Sequence, residues 1–266
     1  MQFLGVKSIL ILSGLLLGGT PSGTDMAEAG DRMPAKDTIE YRVKLSTIVV
    51  ARATIEARRE DDAYKLYSVF RSSGIANVIA EMEALTDAKG HFSDGAPRPE
   101  VYGQEFHRGD KGRRYDIRFA DGKVAETAVQ PPRTSLPDNW IAVKPEDLAG
   151  VADPLSAVFR PDAGSPCTGK LAVFDGEMRF DVTLAPARTE PVEMIGYAGT
   201  AEVCKAGFVP VSGYRKGRGD IEWLQAQKDM EVSFIRSGSM EAWVPARVQV
   251  PTRLGTLLIE AVRFGL

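Results

Sequence analysis

Few side chains in this sequence could form a metal or cofactor site. His91 and His107 are the only two histidines, and Cys167 and Cys204 are the only two cysteines. A zinc site needs three or four such ligands, and bonded thiols could not serve as ligands. Solvated positions explain both histidines, because His91 lies in a Gly-rich loop and His107 ends a strand-like run. We therefore expect no metal site and no cofactor.

Hydrolytic chemistry would need an activated serine or a pair of carboxylates. The chain has no Gly-x-Ser-x-Gly motif, although a triad can also be assembled only in space. Glu81 and Glu83 would share one face of an extended strand and could act on a glycan. A solvated strand face explains the same pair. We expect no catalytic residue, with cell-wall or glycan hydrolysis as the minor alternative.

The two cysteines enclose the clearest hairpin signal of the chain. Asp175-Gly176 separates two strand-like runs, and an Asp-Gly pair favours a tight turn because glycine tolerates a positive φ. In an oxidising compartment, an even number of cysteines predicts a Cys167–Cys204 disulfide. In the chain-entropy model, such a bond would contribute about 4 kcal/mol. Two buried free thiols are the alternative.

Residues 1–29 have the pattern of a secretory signal peptide. Lys7 supplies the positive charge, residues 8–19 form an apolar run, and Ala27-Glu28-Ala29 supplies small residues for cleavage before Gly30. The apolar run is shorter than a transmembrane helix requires, and an uncleaved N-terminal anchor is the alternative. We expect an exported protein, periplasmic in a Gram-negative host. Residues 30–37 are expected to be flexible.

The charge balance excludes one large class of partner. The formal net charge is −3, with both signs interspersed, whereas nucleic-acid binders depend on an excess of positive charge. We expect no nucleic-acid partner. A length of 266 residues permits one large β domain, for which we expect the boundaries 38–266.

Alternating apolar and polar residues predict about a dozen strands. Three short helices are also expected to plug the sheet, one of them marked by Asp153 as N-cap and Pro154 in the first turn, with Leu155, Val158 and Phe159 packed inward. Residues 75–85 are ambiguous and favour a helical turn leading into a strand. Pro245 and Pro251 place the strand that contains them at a sheet edge. The predicted fold is all-β with a few short helices, in one highly curved, mainly antiparallel sheet, a β-spiral or half-barrel.

Several short motifs resemble a known family. They are the opening Tyr41-Arg-Val-Lys-Leu, the Ser72-Ser73-Gly74 break, Asp153-Pro-Leu-Ser-Ala157, and Cys167 with Phe174-Asp-Gly176. Their order and spacing resemble the exported bacterial proteins called domain of unknown function 3108, from about Asp37 to the C-terminus. More distantly, the chain is similar to spiral-β envelope-integrity proteins and to the half-barrels of periplasmic lipoprotein carriers. The resemblance implies an envelope role and transfers no catalytic residue.

Three tryptophans and one basic loop are the remaining candidates for binding. Trp140, Trp223 and Trp243 lie near predicted element ends and could line a ligand groove, with core packing as the alternative. The basic loop 215–218 could make a peripheral contact with anionic lipid headgroups, or could simply be solvated.

These features lead to two main hypotheses. The first is a non-enzymatic envelope protein that binds a hydrophobic or lipid-like ligand, or a lipidated partner, in its concave sheet. The alternative is a structural or scaffolding envelope protein that acts through protein–protein contacts.

Overall fold

The computed structural model describes residues 35–74, 76–77, 81–93, 95–133, 135–162 and 164–265. The predicted signal peptide, 1–29, lies outside these residues. The strands of the described chain are β1 (Ala35–Leu45), β2 (Ile48–Glu60), β3 (Ala63–Ser72), β4 (Met82–Ser93), β5 (Ala96–Arg108), β6 (Lys111–Ala120), β7 (Lys123–Gln130), β8 (Trp140–Ile141), β9 (Arg160–Pro161), β10 (Lys170–Phe174), β11 (Arg179–Met194), β12 (Tyr197–Ser212), β13 (Tyr214–Arg215), β14 (Met230–Ser237), β15 (Ala242–Thr252) and β16 (Gly255–Gly265). Two short 3₁₀ segments (Pro145–Leu148 and Ser156–Val158) and the helix α1 (Gly219–Ala226) complete the described elements.

Fourteen of these strands form one sheet in the order β10-β11-β12-β14-β15-β16-β1-β2-β3-β4-β5-β6-β7, with β9 paired to β15. Neighbouring strands along this path pair antiparallel, and β8 and β13 form a separate two-stranded sheet. The prediction of one large antiparallel sheet is therefore confirmed.

Residue alternation and tight turns explain the regular part of the sheet. In β3, Tyr64, Leu66 and Phe70 are buried on one face, while Lys65 is exposed on the other. The β6–β7 turn consists of two residues, Asp121 with φ 52° and Gly122 with φ 71°. Positive φ at both positions suits the right-handed twist of a hairpin, which explains the Asp-Gly pair in the sequence.

The two edge strands of the sheet, β7 and β10, face each other across a seam. We call residues 149–159 the plug segment. Ala149 forms a β-bridge with Lys123 of β7, and Ala152 forms one with Val173 of β10. The N–H of Ala152 donates to Ala172 O at 2.8 Å. The sheet does not close by strand pairing, but the plug segment joins its two edges.

Side chains fill the concave face of the sheet. Val151, Leu155 and Phe159 of the plug segment belong to the same buried core as residues of the first six strands. Phe159 is fully buried, as are Tyr102 and Ile117 opposite the plug. The chain itself therefore occupies much of the space inside the curled sheet.

Two predictions about individual strands also need correction. Strand β1 begins at Ala35, so residues 35–37 are ordered in a strand although they were expected to be flexible. Strand β15 lies between β14 and β16 rather than at an edge. Pro245 is tolerated there because the register shifts next to its partner Phe234, where the missing N–H interrupts no regular ladder.

The short helices follow the local signals in the sequence only in part. Asp153 Oδ1 accepts hydrogen bonds from the N–H groups of Leu155 at 2.9 Å and Ser156 at 2.8 Å, as a capping side chain does. The 3₁₀ segment nevertheless begins at Ser156, with Leu155 and not Asp153 in the N-cap position. Within 75–85, Ala76 and Asn77 are helical and β4 begins at Met82. Ile75 and residues 78–80 lie outside the described chain.

Candidate functional site

A cavity of about 550 Å³ opens where the two sheet edges meet the plug segment. We call it the seam cavity. The elements around it are the β4–β5 turn region, the β6–β7 turn, the plug segment and the start of β10. Its lining residues are His91, Ser93, Ala96, Pro97, Arg98, Pro99, Glu100, Phe119, Ala120, Asp121, Gly122, Gly150, Val151, Ala152, Ala157, Lys170, Leu171 and Ala172.

The floor of the seam cavity is apolar. Phe119, Val151 and Ala157 line it and are nearly completely buried, and Leu171 adds a half-buried side chain from β10. The N–H of Gly150 donates to Gly122 O at 2.8 Å, which fixes the plug segment against the β6–β7 turn. The floor is therefore held by backbone contacts and packing.

The rim of the seam cavity carries charges of both signs. His91 Nδ1 lies 3.4 Å from Glu100 Oε1, and Lys170 Nζ lies 3.0 Å from Asp181 Oδ2. Arg98 and Asp121 add one cation and one anion to the lining. An apolar floor beneath a rim of mixed charge is suited to an amphiphilic molecule rather than to a purely apolar or strongly anionic one.

A buried chain of hydrogen bonds starts next to this floor. Asp153 and Ser156 follow Ala152 and precede Ala157, two residues of the cavity wall. The Tyr64 hydroxyl donates to Ser156 Oγ at 2.9 Å, and the Ser156 hydroxyl in turn interacts with the Asp153 carboxyl. All three side chains are buried, so this chain supports the plug segment from inside and does not reach the cavity surface.

Burial dominates the electrostatics of this cluster. It raises the pKa of the Asp153 carboxyl from 3.8 to about 6, against the lowering effect of the hydrogen bonds from Ser156 and Leu155. Burial, and then the Asp153 charge, raise the pKa of the Tyr64 and Tyr102 phenols. Asp153 Oδ2, Tyr102 OH, Thr86 Oγ1 and Gln104 Nε2 are buried with no hydrogen-bond partner among the described protein atoms.

None of the three predicted tryptophans lines the seam cavity. Trp243 is only 5 % exposed, and its indole N–H donates to Gly164 O at 2.9 Å. It packs with Phe234 and the two cysteines in a separate core cluster, so its prediction as a groove residue is wrong and the core alternative holds. Trp140 lies in β8 beneath the Arg133 guanidinium, at 4.5 Å from the ring centroid. Trp223 is partly exposed on α1, with the Arg253 guanidinium 5.4 Å from its ring centroid.

The remaining candidate residues lie at different places in the structure. His107 Nε2 lies 2.8 Å from Glu105, away from the cavity, whereas His91 lines it. Glu83 pairs with Arg71 at 2.7 Å on the sheet surface. Arg218 of the basic loop is paired with Asp220. No group of three metal-ligating side chains is present in the described part of the chain.

Cys167 and Cys204 form a disulfide, with their Cα atoms 5.1 Å apart, which confirms that prediction. The bond attaches the loop before β10 to the middle of β12. Both half-cystines are fully buried among Leu184, Phe234 and Trp243.

Sequence reasoning missed most of the seam cavity. Phe119, Arg98 and Lys170 come from β6, β5 and β10, and nothing in their local sequence indicates that they meet. The Asp121-Gly122 turn was recognised as a hairpin, but its place beside the plug segment depends on the curvature of the whole sheet.

The fold and the cavity define a class: a curled antiparallel β protein whose two sheet edges are joined by an internal segment. Residues 40–262 match the family described as "Protein of unknown function (DUF3108)", and the chain belongs to that family. The resemblance noted in the sequence is thereby confirmed.

Two further comparisons add little to the family assignment. Among solved structures, the chain is similar to the crystal structure of a beta-barrel-like protein of the domain of unknown function DUF1849 from Brucella abortus. The TM-score is 0.49 and the identity 10%, over 88% of this chain and 97% of that one. No curated protein matches the sequence.

In the described residues, no helix has the length and apolar character needed to cross a membrane.

Proposed function

We propose that this protein is an exported, non-enzymatic binding protein of the cell envelope that holds a small lipid-like amphiphile in the seam cavity. The observation that carries the proposal is the cavity itself, with its apolar floor and charged rim. Its volume of about 550 Å³ lies within the range of small-molecule sites. The apolar part of the ligand would lie on Phe119, Val151 and Leu171, and its polar part would face the rim.

The envelope location rests on two supporting features. Residues 1–29 carry the signal-peptide pattern, and the buried Cys167–Cys204 disulfide is typical of proteins that fold in an oxidising compartment. Both are compatible with a periplasmic protein.

Native mass spectrometry tests the proposed ligand. The protein would be expressed with residues 1–29 in a Gram-negative host, purified without detergent and compared with two tryptophan variants. Ala96→Trp places a large side chain in the cavity wall, whereas the matched control Ala128→Trp changes an exposed position of β7 outside the cavity. We expect a bound small molecule on the wild type and on the control, but not on Ala96→Trp. Equal occupancy of all three proteins, or a bare chain in each, would contradict the proposal.

The filled concave face favours a second candidate, a scaffolding protein that acts through protein–protein contacts. Since Leu155 and Phe159 already occupy the inner surface, the large sheet needs no ligand to be stable. Crosslinking in the envelope distinguishes the two functions. A partner captured equally by the wild type and Ala96→Trp, together with the absence of a bound small molecule, would favour the scaffold.

A further inference from the structure

Three large apolar side chains are exposed at the end of the sheet opposite the seam cavity. Ile48 is 56 % exposed at the β1–β2 turn, Leu254 is 55 % exposed at the β15–β16 turn, and Trp223 is 38 % exposed on α1. The cavity is lined by the β4–β5 and β6–β7 turns, which lie at the other ends of these antiparallel strands. The two features are therefore separated by the length of the sheet.

Hydrogen bonds and strand pairing connect the two turns and α1. Strands β1 and β16 are neighbours, so the two turns lie at the same end of this strand pair. The N–H of Ser46 in the first turn donates to Thr256 O at 2.7 Å, beside the second turn. Arg253, next to Leu254, lies with its guanidinium 5.4 Å from the centroid of the Trp223 ring. It also donates to Gly219 O at 3.2 Å. We call Ile48, Trp223, Arg253 and Leu254 the tip surface.

The core does not use these apolar groups. Helix α1 buries Ile221 in the core cluster that contains Val250 and Met230, and Leu224 packs against the same cluster. Trp223 lies on the outer side of the helix, where it contacts the Arg253 guanidinium. A tryptophan on α1, a leucine and an isoleucine at the two turns are thus exposed at one end of the sheet, and exposed apolar groups that lie at one end of a protein are typical of an interaction surface.

The charges around the tip surface are predominantly positive. Arg215, Lys216 and Arg253 are exposed at this end, while Arg218 is neutralised by Asp220. Glu222 is an exposed acid on α1, and the exposed residues Lys228 and Asp229 that follow the helix add one charge of each sign. The surplus is local, because the chain as a whole has a formal net charge of −3. Cations next to exposed Trp, Leu and Ile complement a bilayer surface, where apolar side chains enter the interface and cations meet anionic headgroups.

We propose that the tip surface docks this protein onto a bilayer that contains anionic lipid. Trp223, Leu254 and Ile48 enter the headgroup region, and Arg253 with Arg215 and Lys216 contacts lipid phosphates. In this orientation the seam cavity opens on the side away from the bilayer. The inference does not depend on what the seam cavity binds.

Vesicle flotation tests the docking surface on the protein without residues 1–29. We expect the wild type to float with mixed phosphatidylglycerol–phosphatidylcholine vesicles and to bind pure phosphatidylcholine more weakly. The triple variant Ile48→Ser, Trp223→Ser, Leu254→Ser should lose about tenfold or more of this binding. The variant Arg215→Glu, Lys216→Glu should lose the preference for phosphatidylglycerol and the dependence on salt.

The matched control is Ile195→Ser, which removes an apolar side chain that is 62 % exposed at the β11–β12 turn, at the other end of the sheet. It should bind vesicles like the wild type, and circular dichroism should show the same fold for every variant. Wild-type binding by the triple variant, or no binding by the wild type, would overturn the proposal. A third outcome would also overturn it. If the wild type did not bind vesicles, and analytical ultracentrifugation showed that it forms a dimer that the triple variant does not form, the surface would join two copies of the chain.

Discussion

At the level of single residues, Asp153 combines a capping role with a buried charge. Its Oδ1 atom accepts two backbone N–H groups, which the local sequence Asp-Pro-Leu-Ser could predict because capping depends on near neighbours. Its complete burial beside Tyr64 and Tyr102 could not be predicted, because those tyrosines lie on β3 and β5, far away in the chain.

The raised pKa of Asp153 predicts an unusual pH dependence of stability. Its folded-state pKa of about 6 lies above the unfolded value, so the folded protein binds the proton more tightly. The free energy of unfolding should therefore rise as the pH falls through this range. Between about pH 7 and pH 5 the gain from this group is about 1 kcal/mol. In Asp153→Asn this contribution should disappear, as measured by urea denaturation at both pH values.

Asp147→Asn is the matched control for this prediction. Hydrogen bonds from the Lys144 N–H and the Ser212 hydroxyl lower the pKa of Asp147, so its contribution is present above its unfolded pKa and is lost only in more acidic solution. The control should keep the wild-type difference between the two pH values. If Asp153→Asn also keeps that difference, the carboxyl is not buried as described.

At the level of elements, the plug segment links the core, the two sheet edges and the seam cavity. It supplies core residues to the concave face, bridges to both edge strands, and part of the cavity floor. The sequence indicated a short helix here from Asp153 and Pro154. It also predicted that Leu155 and Phe159 pack inward, and both are buried in the core. It did not indicate that the segment bridges both edge strands, because those contacts depend on the curvature of the whole sheet.

Truncating the plug segment should destabilise the whole protein. Phe159 of the plug segment is fully buried in the core, so Phe159→Ala should reduce the free energy of unfolding by about 3–5 kcal/mol. Leu136→Ala is the control, since Leu136 is 53 % exposed, and it should stay within about 0.5 kcal/mol of the wild type. Urea denaturation followed by tryptophan fluorescence measures both. A small loss for Phe159→Ala would show that the plug does not fill the interior.

The disulfide acts on the same scale, because it attaches the loop before β10 to β12. The double variant Cys167→Ala, Cys204→Ala should lose about 2–4 kcal/mol of stability in denaturant unfolding. With a reductant present, the free energy of unfolding of the wild type should fall to that of the variant, and the free energy of unfolding of the variant should not change. A reductant-sensitive variant, or a wild type that is equally stable after verified reduction, would contradict a structural role for this bond.

At the level of the whole molecule, alternation and turn chemistry determine most strands, while long-range curvature determines the site. The β6–β7 hairpin and the antiparallel character of the sheet follow from period-two patterns and the Asp121-Gly122 turn. The approach of the β7 edge to the β10 edge depends on twist that accumulates over many strands. A short stretch of sequence carries no information about this accumulated twist. For that reason Arg98 and Lys170 went unrecognised, while the locally conspicuous Trp243 belongs to the core.

The location of ligand binding is the central claim, and amide NMR on the ²H,¹⁵N-labelled protein tests it most directly. Lyso-phosphatidylcholine, whose zwitterionic head matches the mixed charges of the rim, would serve as the amphiphilic probe below its micelle concentration. We predict saturable shifts at Gly122, Gly150 and Leu171 around the seam cavity, and their loss in Ala96→Trp but not in Ala128→Trp. Shifts at the concave-face residues Ala84 and Ala88 instead, or no saturable shifts, would contradict the account.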